Sequence, residues 1–181
     1  MYDEDTVWFF TWKRLLASNI SVIGGEPPGG SSPLPRIEMK DPNSSSKGSA
    51  GSRKCDLYSV FEKTIFLIEA KDSHTKTLPD IEKLKDIIKS TEWTKSLWHA
   101  LIERRLLAKT GNHDLEQFLL HRKKFIKPAL AIPPSNDFLP PKGFLLIETT
   151  ELKTTARFEK TRPIDDLGFV FKNFLELNPE F

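Results

Sequence analysis

The chain has 181 residues, 38% of them hydrophobic and 29% charged, with a formal net charge of +2 and a pI near 8.6. That balance describes one globular domain able to bury a core without staples; no apolar run approaches the ~20 residues that a bilayer demands, which excludes a membrane span. Cys55 is the sole cysteine, which excludes an internal disulfide and a cysteine-based zinc cluster.

The first residues, Met1-Tyr2-Asp3-Glu4-Asp5, are acidic where a secretory signal would be basic, so a cytoplasmic location is expected. From Asp5 to about Ser18, the spacing of Val7, Trp8, Phe10, Trp12, Leu15 and Leu16 predicts a helix with a broad buried face. Gly24 to Ser52 then breaks all periodicity with Gly-Gly, Pro-Pro and Ser-Ser-Ser pairs and runs, and reads as a flexible loop with little to bury. A short extended piece at Arg36 to Met39 interrupts it. Cys55 to Phe61 and Thr64 to Ala70 are strand-like runs separated by Glu62-Lys63, the pattern of a β-hairpin.

Helices are predicted from Pro79 to about Lys89, from Thr91 to Lys109 with a stop at Gly111, and from Asp114 to Lys124. Two strands follow at Lys127 to Ile132 and Gly143 to Thr149, then a helix near Ile164 to Leu177. The order implies an α/β domain, a central mixed β-sheet flanked by helices. Trp8, Trp12, Trp93 and Trp98 sit at helical spacing and are assigned to core packing.

Glu-x-Lys occurs at Glu38-Met39-Lys40, Glu69-Ala70-Lys71 and Glu151-Leu152-Lys153. Only the second directly follows a continuous strand-like run with an acid-bearing partner strand before it. Asp137 with Glu151 is the rival pair, weakened by Pro140 and Pro141 between them. If Phe61 pairs with Thr64, Asp56 falls opposite Glu69, and strand alternation turns Glu69 and Lys71 to that same face while Ala70 turns away. Directly opposed carboxylates repel, and a divalent cation with a preference for oxygen ligands, Mg²⁺ or Mn²⁺, resolves the repulsion. Such an ion polarises a phosphodiester and acidifies bound water, while Lys71 can orient that water or stabilise developing negative charge.

These residues resemble the PD-(D/E)xK nuclease superfamily, the restriction-endonuclease-like fold, which joins an acid on one strand to an acid-x-Lys on the next. Cys55-Asp56 matches the first element, with Cys in place of proline, and Glu69-Ala70-Lys71 matches the second. The resemblance implies a Mg²⁺-dependent endonuclease acting on DNA, in a restriction-type setting. It also implies metal-ligand roles for Asp56, Glu69 and the Ala70 carbonyl, assistance to the attacking water from Lys71, and a further acid from the first helix, with Asp3, Glu4 and Asp5 as candidates. A homodimer or a specificity-conferring partner subunit is the expected partner beyond DNA.

The alternative is a nucleic-acid-binding or assembly module of the same fold without catalysis. His74, near the motif, is a secondary candidate for a general base. Lys76 and Lys83 lie downstream where phosphates could pass, and Lys47, Arg53 and Lys54 could meet phosphates as the loop closes. The basic groups Arg104, Arg105 and Lys109, then Arg122, Lys123, Lys124 and Lys127, either track a phosphate backbone or form a solvated helix face.

Overall fold

In a computed structural model the chain forms an α/β structure. The structure describes residues 2–18, 20–30, 32, 34–43, 51–61, 64–103 and 112–150, apart from the side chains of residues 112 and 113. The predicted terminal helix near Ile164 to Leu177, and Lys47, Arg104, Arg105, Lys109, Glu151 and Lys153, lie outside the described residues. Helix α1 spans Glu4–Ala17, strand β1 Ser21–Gly25, β2 Leu57–Phe61 and β3 Thr64–Ala70; helices α2 (Leu78–Lys89), α3 (Thr91–Glu103), α4 (Asn112–Leu120) and α5 (Arg122–Phe125) precede β4 (Ile126–Ile132) and β5 (Leu145–Glu148).

The five strands form one mixed sheet in the order β1-β2-β3-β4-β5. The first three make an antiparallel meander, and β3, β4 and β5 run parallel. The hairpin register agrees with the sequence: Phe61 pairs with Thr64 and Leu57 with Ile68. Buried on both faces and flanked by parallel neighbours, β4 reads as a near-continuous apolar run, as such strands do.

The two sheet faces bury different kinds of side chain. On one, Val7, Trp8, Trp12 and Leu15 of α1 cover Ile68, Ala70, Ala129 and Ala131, so small sheet residues accept the indole rings. On the other, Ile81, Leu84, Leu97, Trp98 and Phe118 from the helices pack against Tyr58, Ile65, Leu67 and Leu130. Local chemistry sets the helix ends. Asp3 caps α1 by accepting the Thr6 N–H at 2.8 Å, Pro79 stands in the first turn of α2, and Ser90 accepts the Trp93 N–H at 3.2 Å.

Three expectations need correction. Strand β1 was not foreseen, because Ser21-Val22-Ile23-Gly24-Gly25 ends in two glycines that resemble loop residues. Gly24 to Ser52 does bury material: Leu34, Ile37 and Met39 are in the core, and Met39 bridges to Arg53 rather than joining an extended strand. The helix predicted from Asp114 to Lys124 breaks at His121 into α4 and α5. Arg122 accounts for the break: its guanidinium donates to the carbonyls of Leu119 (2.8 Å), Ile88 (2.8 Å) and Lys89 (2.9 Å), tying the turn to the C-terminus of α2. Among the described residues, no helix is long and apolar enough to cross a membrane.

Gly25 is required where β1 meets the chain leading into β2. Its φ is 151°, and a Cβ there would lie 2.4 Å from the Asp56 carbonyl oxygen. Gly143 shares a positive φ, 90°, but a Cβ there meets nothing within 4 Å. Chemical denaturation should therefore separate the two: Gly143→Ala costs about 1–2 kcal/mol from backbone strain alone, and Gly25→Ala costs about 3 kcal/mol or more. Equal losses would show that the close approach at Gly25 is relieved without cost.

Candidate active site

Asp56 immediately precedes β2 and is held from several sides. Its carbonyl accepts the Trp8 indole N–H at 2.7 Å and the Glu26 N–H at 3.0 Å, and its Oδ2 accepts the Ala70 N–H at 2.8 Å. The register of the hairpin, continued by one residue, sets Asp56 opposite Glu69. Ala70 turns its methyl into the core beneath α1, as alternation required, while Glu69 points to the α2 side. Lys71 follows the end of β3 and is anchored by its N–H to the Ala131 carbonyl at 2.9 Å.

The structure brings these residues together with Glu4, one of the three first-helix candidates, with Lys83, expected to meet phosphates, and with Asp80, which sequence reasoning did not nominate. Lys71 Nζ lies 3.4 Å from Glu4 Oε1 and 3.7 Å from Asp80 Oδ2. Lys83 Nζ lies 2.5 Å from Glu69 Oε1 and 3.8 Å from Asp80 Oδ1, and donates to the Lys54 carbonyl at 3.1 Å. The first-helix acids differ in their contacts: Asp3 caps the helix, Asp5 accepts the Gly29 N–H at 2.9 Å, and Glu4 reaches Lys71. Asp80 looks in sequence like any acid in a helix first turn. Its spacing of three from Lys83 on a helix opposite β3 was the available signal.

Four carboxylates, from Glu4, Asp56, Glu69 and Asp80, share this cluster with two ammonium groups, from Lys71 and Lys83, which leaves a formal charge of −2. Glu69 is 3% exposed and Asp80 8%, so solvent screens little of these two charges, while Glu4, Lys71 and Lys83 reach the surface. Burial, then the charge of Asp56, pushes the Glu69 pKa well above the usual carboxylate range. Burial also raises Asp56, against the opposing Ala70 N–H. For Lys71, burial opposes the charged form, but Asp80, Glu4 and Asp56 outweigh it and the pKa rises. The same contest, with Glu69 foremost, raises Lys83. Burial drives the Cys55 thiol up, which disfavours the thiolate.

Carboxylate oxygens and a peptide carbonyl are the donor types that a hard divalent cation takes. Among the described residues, no three His, Cys, Asp or Glu side chains already stand in ligating proximity. Lys83 instead supplies positive charge to Glu69.

The other nominated residues are engaged elsewhere. His74 contacts Ser135 Oγ at 3.2 Å and lies beside Phe138, and Lys76 pairs with Asp72 at 2.7 Å. Arg53 stacks on Trp93, 4.4 Å from the ring centroid, and pairs with Asp86 at 3.5 Å; Lys54 pairs with Glu26 at 3.1 Å. Arg122 caps a helix rather than tracking phosphates. No family model matches the chain, and no significant match is found among curated proteins or solved structures.

Raised carboxylate pKa values mean that the folded chain retains protons the unfolded chain has lost. Stability from Asp56 and Glu69 therefore falls as pH rises from the ordinary carboxylate range through their raised values. Binding of a divalent cation should reverse this loss at neutral pH. In thermal scans, Mg²⁺ is expected to raise Tm at pH 7.5 more than at pH 5, and Asp56→Asn, which keeps an acceptor for the Ala70 N–H, should match or exceed the metal-free wild type while losing the Mg²⁺ response. A Mg²⁺ shift retained in Asp56→Asn would remove Asp56 as a ligand.

Proposed function

We propose that the chain is a metal-dependent nuclease that hydrolyses phosphodiester bonds in DNA, with Asp56, Glu69 and Lys71 as its catalytic residues. The observation that carries this reading is the hairpin register, which sets Asp56 opposite Glu69 with Lys71 beyond the strand end. An acid on one strand followed by acid-x-Lys on the next, within a mixed sheet covered by helices, is also what the resemblance to PD-(D/E)xK nucleases rests on. The restriction-endonuclease-like fold is part of this proposal, as are a cytoplasmic setting and a homodimer or partner subunit that supplies specificity.

Asp56, Glu69 and the Ala70 carbonyl would hold Mg²⁺, with Mn²⁺ able to substitute. When bound, the ion supplies polarisation of the phosphodiester and a more acidic water. The chain's own residues do the rest. Lys71 is kept charged by Asp80 and Glu4, so at neutral pH it acts as a donor to developing negative charge and not as a general base. Glu4 and Asp80 fix the direction of its ammonium and act as positioning residues. Lys83 stands on Glu69, and its ammonium works against the burial that favours the protonated form of that carboxylate.

The Glu69–Lys83 pair also favours a second reading, a nucleic-acid-binding or assembly module in which the charges are structural and already paired. Plasmid cleavage with and without Mg²⁺ separates the two. Under the nuclease reading, Asp56→Ala and Glu69→Ala lose at least about 100-fold in rate while circular dichroism reports an intact fold. Lys71→Ala keeps the Mg²⁺ thermal shift but loses roughly 100-fold or more in rate. Wild-type cleavage retained by either folded acid variant would overturn the assignment.

A further inference from the structure

A second concave feature lies away from the acid cluster. It is a cleft of about 250 Å³ between the C-terminal half of α2, α5, the start of β4 and the turn before β5. Lys85, Lys89, Lys123, Lys127 and Lys142 line it. Ile88 and Phe144, both partly buried, supply an apolar floor above the buried Ile126.

No carboxylate lines the cleft, in a chain whose formal net charge is only +2. Among the described residues, the ion pair found for these lysines is Lys85 with Glu82, at 3.9 Å. Five ammonium groups drawn from several elements repel one another, and concave walls of low dielectric focus their field. The sequence cluster Lys123, Lys124 and Lys127 showed only part of this, because Lys85, Lys89 and Lys142 come from elsewhere in the chain.

Position relates the cleft to the candidate site. Ile126 pairs with Ile65 and Leu130 with Glu69, so the cleft floor lies four residues down the parallel strands from Glu69, about 13 Å at ~3.3 Å per residue. Helix α2 spans both places, with Asp80 and Lys83 at the acid cluster and Lys85 and Lys89 on the cleft. One strand engaged at both would separate the two contacts by about four nucleotides or fewer, at ~3.4 Å or more per phosphate.

We propose that this cleft binds a single-stranded segment of nucleic acid, with an unstacked base on the floor formed by Ile88 and Phe144 and flanking phosphates on the lysines. A rim of cations around an apolar and aromatic floor is the chemistry that recognises an unpaired nucleotide: every base has a face that stacks, and every linkage has a charge. A blunt duplex offers the charges but keeps its bases stacked. The role as an anchor for the strand being cut rests on the nuclease reading; the binding itself does not.

The test is fluorescence anisotropy of the full chain with a labelled ten-nucleotide thymidine strand and a blunt duplex, in EDTA so that no metal-dependent cleavage occurs. The single strand should bind at least about tenfold tighter than the duplex. Exposed Lys89 and Lys142 tolerate charge reversal, so the Lys89→Glu/Lys142→Glu double variant should fold, lose at least about tenfold in strand affinity, and lower the slope of log affinity against log salt by about 1.4, at ~0.7 per phosphate lost. Phe144→Leu keeps the floor apolar and should weaken strand binding several-fold. If the double variant is unfolded by circular dichroism, single Lys142→Glu replaces it, with a slope change of about 0.7. Unchanged affinity and slope in a folded variant would overturn the proposal, as would tight binding of ATP without binding of the strand. Strand binding that depends on these lysines in a chain that cleaves nothing with Mg²⁺ would sustain the cleft and defeat the nuclease reading; cleavage with strand affinity indifferent to the lysines would do the reverse.

Discussion

The hydrogen bond from the Ala70 N–H to Asp56 Oδ2, at 2.8 Å, closes the open end of the β2–β3 hairpin. It replaces the strand pairing that stops at Leu57 with Ile68, and it commits one oxygen of an acid to a backbone donor. The remaining oxygen, Glu69 opposite, and Lys71 beyond the strand end inherit their positions from that closure. Breaking it would free a buried donor, at about 1–3 kcal/mol, and release the acid from its place against Glu69.

Support for this closure comes from both layers. Trp8 of α1 donates to the Asp56 carbonyl and packs over Ala70 and Ala131, so one residue links the small-residue face of the sheet to the position of the acid. From the other side α2 contributes Asp80 and Lys83, whose charges alternate with those of the strand residues. Breaking a buried ion pair by removing one partner costs more than the pair contributes net, so the cluster is better understood as an ordered arrangement of charge than as a source of stability. The fold supports the charges, and hydrophobic burial of the two faces supports the fold.

How much of this was legible in the sequence follows from how far each signal reaches. Asp56, Glu69 and Lys71 lie on neighbouring strands joined by two residues, so alternation and a short turn were sufficient to place them together. Glu4 and Asp80 come from helices on opposite faces of the sheet, and only the packing of α1 and α2 selects them. Strand β1 was hidden because Gly24 and Gly25 serve a close backbone approach while looking like loop residues. The break at His121 was hidden because Arg122 acts through carbonyls on another helix, which no helical period encodes. The burial of Leu34, Ile37 and Met39 was not foreseen, even with an extended piece expected at Arg36 to Met39, since isolated apolar residues among Pro, Gly and Ser carry no period.

The stretch around Leu34 to Ile37 has a further consequence. The Gly25 N–H on the outer side of β1 donates to the Pro35 carbonyl at 3.1 Å, and Gly24 sits close beneath the same carbonyl and the Ile37 side chain. Since β1 is the terminal strand of the sheet, this stretch occupies donors and space that an incoming chain would use to extend it. An irregular, proline-bearing segment is well suited to the task, because it covers the border without presenting a new row of regularly spaced N–H and C=O groups. Shortening it would therefore change more than loop length: it would expose a pairing-competent margin and turn a self-contained sheet into a template for association.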